Sequence, residues 1–432
     1  MKLLLLTTGG SCEPLIESIL ENDPDRIYFI CSGGDRSSRR IVTGEGYVCG
    51  KDPKNPDEPN ILTQVNIDPS EKEKFEIVEI DDFDNPNSCY QACITLISTI
   101  KKKYPSAELI ADYTGGTKSM TAGLIMAAMD DPSITLCVIT GKRMDLIRVA
   151  SGTQQKRLIG AKLPFLERHF KAAVALADRY DYAGCLQVLE SLLDTPDIPS
   201  EIQQRIQKAV CLARGFREWD RFNHRRALEI LESYAGEITD IFLYLKKIMR
   251  SRALLDEKYK EFCEDQKSSV VYHGYELVED LLLNAKRKAF QGLYDDATGR
   301  VYRALEVLVD ARFQICYELN KNDLDLSKLD ETLASGYTQG GKLGLKQGFE
   351  LLIKWKRNDE LATEYVKRRK RIENYLSIRN KSLFAHGYTP VSEKDFEKFL
   401  GIAEDLYESF ISRVFQNPSE PVQFPQFSDI FS

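Results

Sequence analysis

Ala107-Glu108-Leu109-Ile110-Ala111-Asp112-Tyr113-Thr114-Gly115-Gly116-Thr117-Lys118-Ser119 runs from an apolar stretch into a glycine pair and then into hydroxyl and lysine side chains. Ala107 to Tyr113 reads as a short buried strand, and Thr117 to Met129 as the helix that follows it. The same alternation recurs on either side. Lys2 to Thr8, Arg26 to Cys31 and Phe75 to Ile80 read as strands, and Glu13 to Glu21 and Ser88 to Lys103 as helices. Ile134 to Thr140 is a further strand, with Asp145 to Ala150 as its expected partner. The polar stretch from Ser32 to about Asn60, rich in Gly, Pro and Asp, reads as a long loop. Strands alternating with helices predict an α/β domain with a doubly wound, mostly parallel sheet.

A second strand-to-helix junction, Thr7-Thr8-Gly9-Gly10-Ser11, resembles the first. Glycine pairs let several backbone N–H groups face one point, a helix N-terminus adds positive potential, and Thr and Ser hydroxyls add donors. Lys118 brings a full charge. In a doubly wound sheet both loops lie at the carboxyl ends of strands, where ligands bind. The pattern is not a P-loop, because Thr117 stands where glycine must precede the lysine, and neither loop carries G-x-G-x-x-G. Two tight turns would explain the glycines without a ligand; two hydroxyl-rich loops favour a phosphate or nucleotide pocket. Arg36, Arg39 and Arg40 could cover it. No nucleophile–base pair lies nearby, so the pocket reads as a sensor.

The chain has 432 residues, 43% of them apolar, which allows two or three packed domains. With a net charge of −7 it is no general nucleic-acid coat, so any RNA contact must be local. The apolar run Leu3 to Leu6 is too short for a signal peptide or membrane span, which points to the cytoplasm and no membrane. Ten scattered cysteines offer no metal spacing; Cys89 and Cys93 read as small buried hydrophobes, and no metal site is expected.

Near Leu163 the pattern turns wholly helical. Tyr180-Asp181-Tyr182-Ala183, Phe222-Asn223-His224-Arg225-Arg226-Ala227 and Leu293-Tyr294-Asp295-Asp296-Ala297 echo one another: an aromatic or apolar residue, a polar turn, then a small residue entering a helix. Three irregular copies are too few for a solenoid. The organisation expected is an α/β domain over 1–158, a helical linker over 159–265 and an all-α domain over 266–432. The segment after Gln416 should dock as a tail.

Chemistry concentrates in Ser377-Ile378-Arg379-Asn380-Lys381-Ser382-Leu383-Phe384-Ala385-His386-Gly387. On one continuous helix, Arg379 and His386 would share a face with Cα atoms about 10 Å apart. Gly387 would then be the left-handed residue closing the helix, and the negative helix pole would favour a protonated His386 in the last turn. A guanidinium that holds phosphate and an imidazole that moves protons are what metal-free RNA cleavage needs. A solvated arginine and a helix-terminal histidine are the plain alternative. The basic run Lys367-Arg368-Arg369-Lys370-Arg371 on the same helix adds a plausible RNA track.

The Thr-Gly-Gly-Thr-Lys loop after a strand resembles the CARF (CRISPR-associated Rossmann fold) domain. Tyr294-Asp295-Asp296-Ala297 through Tyr302-Arg303-Ala304-Leu305-Glu306, with Arg379-Asn380 to His386, resembles the HEPN ribonuclease domain. Together they resemble the CARF–HEPN ancillary ribonucleases of type III CRISPR systems: a Rossmann-like domain, an all-α linker and an all-α HEPN domain. The resemblance implies a homodimer that binds one cyclic oligoadenylate across its two-fold axis and cleaves single-stranded RNA without a metal. His386 would be general acid or base, Arg379 would stabilise the phosphorane and Asn380 would orient the substrate. The activator would meet Thr8, Gly9, Gly10, Ser11, Ser32, Thr114, Gly115, Gly116, Thr117 and Lys118. Six residues between Arg379 and His386 is at the long end of the family's range. A CARF regulator without RNA cleavage, a ring nuclease and a silent HEPN domain are the alternatives; no helix-turn-helix signature supports the first.

Overall fold

The computed structural model describes residues 1–49, 57–140, 155–160, 162–264, 271–383, 387–416, 418 and 420–432. The N-terminal part runs β1 (Lys2–Thr7), α1 (Glu13–Asn22), β2 (Arg26–Ser32), α2 (Arg39–Thr43), α3 (Ile61–Gln64), β3 (Phe75–Ile80), α4 (Pro86–Lys103), β4 (Glu108–Asp112), α5 (Lys118–Met129), β5 (Ile134–Thr140) and β6 (Gln155–Gly160). Strand order is β3-β2-β1-β4-β5-β6, parallel throughout except for the antiparallel β6. The α/β class is therefore as expected. Alternate residues of β1 feed opposite cores: Leu3 and Leu5 face α4 and α5, while Leu4 and Leu6 face α1, α2 and α3. Both faces being covered explains why the strands are apolar runs rather than alternating ones.

Two expectations change here. The partner of β5 is Gln155–Gly160, in the register Thr135 to Gly160 through Thr140 to Gln155; Asp145 to Ala150 lies outside the described residues. The stretch after Ser32 is not all loop, since Arg39–Thr43 forms a helical turn and a half that buries Ile41 and Val42. Two apolar residues among arginines are enough to anchor it, yet too few to show as a period.

The helical part runs α6 (Lys162–Asp178), α7 (Tyr182–Leu193), α8 (Ser200–Asp220), α9 (His224–Leu231), α10 (Thr239–Ala253), α11 (Glu261–Glu264), α12 (Glu276–Phe290), α13 (Tyr294–Tyr317), α14 (Glu331–Ala334), α15 (Leu345–Trp355), α16 (Glu360–Asn380), α17 (Glu393–Val414) and α18 (Phe427–Ile430). The chain forms two compact units, 1–169 with 195–198, and 170–194 with 199–432. The linker helices and the C-terminal helices thus share one unit.

The three sequence echoes are one structural device. Tyr180 (φ 61°), Phe222 (φ 63°) and Gly292 (φ 76°) are left-handed residues that end α6, α8 and α12. In each, the next N–H reaches back five residues: Asp181 to Leu176 O (3.0 Å), Asn223 to Glu218 O (2.9 Å) and Leu293 to Lys288 O (3.0 Å). These are Schellman closures, each followed directly by the next helix.

The second unit is held by a buried charge network. Arg287 is fully buried; its Nε donates to Asp220 (3.0 Å), Nη1 to Gln423 Oε1 (2.7 Å) and Nη2 to Asp280 (3.4 Å), and the centre of the Phe424 ring lies 3.8 Å from its Cζ. Asp280 also accepts from the Trp219 indole (3.1 Å) and from His224 Nε2 (3.0 Å). The C-terminal tail is thus part of the core, not a surface strap: Phe427 is buried and Phe424 sits 4.8 Å from Trp219.

Arg252 Nη1 donates to His224 Nδ1 (3.2 Å), so the proton must sit on Nε2 and face Asp280. That is the neutral imidazole. Burial lowers the His224 pKa further than Asp280 raises it. The unfolded chain takes up this proton near pH 6.5 while the folded one resists, so His224 costs stability as pH falls. His273 acts oppositely: burial pushes its pKa down, but Glu279 and Glu276 outweigh that and raise it. Both tryptophans, Trp219 and Trp355, lie in the second unit, so their fluorescence reports its unfolding alone. In urea, wild type should lose stability between pH 7 and 5.5 relative to His224→Asn. Parallel pH curves for the two would disprove the neutral assignment.

Candidate functional site

The order β3-β2-β1-β4-β5 reverses direction between β1 and β4, and both glycine loops leave the sheet at that point. This is where a doubly wound sheet opens a crevice. The loops touch. A Cβ on Gly9 would lie 2.7 Å from Gly116 N, and one on Gly115 would lie 2.5 Å from Thr7 O and 2.7 Å from Leu15 Cδ2. Gly116 itself has φ 88°. Thr7 Oγ1 donates to Gly115 O at 2.7 Å and closes the contact.

Beside the loops is a cavity of ≈ 640 Å³. Thr8, Gly9, Gly10, Ser32, Gly116 and Thr117 line it; Ser11, Thr114, Gly115 and Lys118 do not. Thr114 Oγ1 instead accepts from Ile139 N (2.8 Å), and Thr117 Oγ1 donates to Phe83 O (2.9 Å) while capping α5. Gly115 is required by packing rather than by approach of a ligand. Lys118 is exposed at the start of α5, and the positive charge on the wall comes from Arg36 and Arg40. Arg39 turns away to Glu79 (3.4 Å). Ser32 and Ser38 exchange bonds, Ser38 N to Ser32 Oγ (3.0 Å) and Ser32 N to Ser38 Oγ (2.9 Å), which pins the arginine-bearing segment.

Tyr47 and Val48 complete the wall. A Cys12–Cys49 disulfide ties their segment to the start of α1, across 37 positions. No spacing motif marks that pair in the sequence. Cys89 and Cys93 are buried thiols under α5; burial raises both, Cys93 to about 12.

In the second unit α16 ends at Asn380, with Lys381 N bonded to Ile378 O (3.0 Å) and Ser382 N to Arg379 O (3.0 Å). The expectation that one helix carries both Arg379 and His386 is thereby corrected, because α16 stops six residues before His386. His386 lies outside the described residues. Gly387, the residue after it, is not left-handed: its N–H bonds Ser382 O (3.2 Å), and a Cβ there would lie 2.0 Å from Lys381 O. Only glycine allows that backbone approach, which returns the chain to the end of α16.

Arg379 lies with Cζ 4.2 Å from the centre of the Tyr302 ring on α13, and its Nη1 donates to Asn380 Oδ1 (3.2 Å). It has no carboxylate partner among the described residues. The basic run behaves otherwise. Lys367 and Arg368 pair with Glu364 (2.5 and 2.7 Å), Arg368 also grips Asp405 by two bonds (2.7 and 2.9 Å), and Arg369 pairs with Glu373 and Glu350 (3.1 and 3.2 Å). Three of the five charges are spent within the protein, so the run as a whole is no RNA track. Among the described residues no group of three or more His, Cys, Asp or Glu could hold a metal ion, and no helix is long and apolar enough to cross a membrane.

A domain model for the Csm6 6H domain matches residues 165–262, and one for the Csm6 HEPN domain matches residues 266–409. The chain belongs to the Csm6 family. It is thus a CARF–HEPN protein of type III CRISPR systems. Enterococcus italicus Csm6 bound to cyclic hexa-2′-fluoro-hexa-dAMP has the same fold, with a TM-score of 0.58 and 14% identity over 96% of each chain. No curated protein sequence matches. In this Csm6-family protein the HEPN match spans α12 to α16, including α13 and α16, which bear Tyr302 and Arg379.

Gly9→Ala and Gly115→Ala should each destabilise the N-terminal unit by about 1–3 kcal/mol, the usual cost of forcing extra atoms into a packed site. Urea unfolding followed by far-ultraviolet circular dichroism, beside tryptophan fluorescence as a control for the second unit, measures this. Wild-type midpoints in both variants would show that the loops can separate freely.

Proposed function

We propose that the protein is a cyclic-oligoadenylate-activated endoribonuclease that cuts single-stranded RNA as a homodimer, in the cytoplasm and without a metal. The observation that carries the reading is Arg379. It is fixed by Tyr302 and Asn380 with no carboxylate to neutralise it among the described residues, and Ser382, three residues on, bonds the glycine that follows His386. Family membership supports the RNA substrate. The cyclic ligand of the Enterococcus italicus protein supports the activator, with the cavity between the glycine loops and Arg36 and Arg40 as its site.

In this reading the RNA 2′-hydroxyl attacks the adjacent phosphorus, and the 5′-oxygen leaves. The products are a 2′,3′-cyclic phosphate and a 5′-hydroxyl end. His386 moves the proton, Arg379 stabilises charge on the phosphorane oxygens, and Asn380 orients the substrate. Two copies would contribute one such set each. A two-fold symmetric ring ligand suits an isologous site between two CARF domains. In the cytoplasm the Cys12–Cys49 bond would face a reducing thiol pool.

Arg379→Ala and His386→Ala should each lower RNA cleavage by at least about 100-fold, the usual size of such contributions, with activator affinity unchanged. Labelled RNA incubated in EDTA with a panel of cyclic oligoadenylates tests the activity, the metal independence and the activator together. Undiminished cleavage by His386→Ala would refute the chemistry.

The linker helices should transmit activation as a lever, because a ligand acts on a distant site only by favouring one arrangement of the dimer. A flexible Gly/Ser insertion near Pro196 to Ser200 should leave activator affinity and basal cleavage intact but abolish stimulation. Full stimulation of that variant, with a monomer that dimerises only on ligand, would overturn the lever.

A further inference from the structure

The two basic residues of the run that form no ion pair share one place. Lys370 and Arg371 of α16 and Lys398 of α17 line a groove of ≈ 810 Å³, with Asn374 and Tyr375 between them and Gly401 opposite. None of the three cations makes an ion pair among the described residues. The one carboxylate on the wall, Asp405, is held by Arg368, which keeps its pKa low and its charge offset. Tyr375 lies on Phe399 with ring centres 6.0 Å apart and planes at 19°, so its ring is braced from one side. Along α16, Arg371 precedes Arg379 by about 12 Å and Tyr375 by about 6 Å, and residues four apart share a face.

We propose that this groove is a binding subsite for single-stranded RNA flanking the scissile phosphate, with phosphates on Lys370, Arg371 and Lys398 and a base stacked on Tyr375. The proposal rests on the ribonuclease reading and deepens it. A run of cations beside a braced aromatic ring is what a single strand needs: charge to follow its backbone, and a flat apolar face for any base. The aromatic ring separates RNA from an acidic protein surface, since a base stacks on Tyr375 where a carboxylate would need only the cations. The subsite would serve affinity and not the chemical step.

Gly401 supplies a clean probe, because a Cβ built there meets nothing within 4 Å. Gly401→Glu therefore places a negative charge in the groove without touching the core. Binding of a fluorescent unstructured RNA of about twenty nucleotides would be read by anisotropy across a salt series, with cleavage of the same RNA and of a trinucleotide measured alongside. Gly401→Glu should weaken binding of the long RNA at least tenfold. The Lys370→Ala, Arg371→Ala, Lys398→Ala triple variant should lower the salt slope by about 2, at ~0.7 for each phosphate that is no longer neutralised. KM for the long RNA should rise while kcat on the trinucleotide stays at wild type. Unchanged affinity and slope, with normal tryptophan-monitored unfolding, overturns the subsite. A changed sedimentation coefficient in Gly401→Glu with an unchanged slope also overturns it and makes the groove a contact between copies. If wild type cleaves no RNA, the ribonuclease reading fails, and the binding series still decides the groove.

Discussion

Backbone meets backbone where β1 and β4 leave the sheet, and the N-terminal domain depends on that contact. With Gly9 and Gly116 close enough that one Cβ would collide at 2.7 Å, the two loops close into a single floor. The Thr7 to Gly115 bond then locks the floor to β1. Each consequence follows from the last. The crevice opens at the reversal of strand order, Thr8 and Thr117 come to one wall, and the Ser32–Ser38 exchange hangs Arg36 and Arg40 over it. Of the residues expected at the pocket, those that face the cavity are the ones on the open side of this contact. Of those that do not, Gly115 closes the contact with Thr7 and Thr114 is held by Ile139 of β5.

The second unit solves a different problem. Its linker and HEPN helices meet through buried charge: Arg287, Asp220, Asp280, Lys288 and a neutral His224. Buried ions are costly unless every donor finds an acceptor, and removing one partner is worse than never having had the pair. Such a seam resists sliding more than an apolar one, because any shift strands a charge. The tail adds Gln423 and Phe424 to the same arginine. A joint of this kind carries motion between the helices it connects instead of absorbing it.

Much of this was legible in the sequence, for identifiable reasons. Buried parallel strands are apolar runs and glycine pairs sit at chain reversals, so five strands and both loops could be placed from residues alone. The echo around Tyr180, Phe222 and Leu293 was visible before its cause, a left-handed residue closing one helix onto the next. What escaped was set by distant partners. The edge strand β6 is chosen by pairing with β5. The disulfide joins residues with no spacing signature. The basic run looked like a track because two of its neutralisers, Glu350 and Asp405, lie on other helices, although Glu364 and Glu373 stand at pairing distance on α16 itself. The end of α16 escaped for a subtler reason: Gly387 reads as the left-handed residue that closes a helix, but it serves a close return of the backbone.

An acidic protein that is to hold RNA must keep a few cations out of its own ion pairs, and the way Arg379 is held shows how. A carboxylate partner would fix a guanidinium but use up its charge and its paired donors. The Tyr302 ring fixes it from the face and leaves its charge, and the edge N–H groups not given to Asn380, to a phosphate. Tyr302 is itself partly buried, and burial raises its pKa, so the ring stays a neutral phenol beneath the cation. The paired arginines of α16 do the opposite work: Arg368 and Arg369 brace the helix against α17 and α15. One helix thus separates structural cations from available ones by what faces them, carboxylates for the first and an aromatic ring or open groove for the second. Spacing within α16 marks part of that division, with Glu364 and Glu373 three or four residues from Lys367, Arg368 and Arg369, and the neighbouring helices supply the rest.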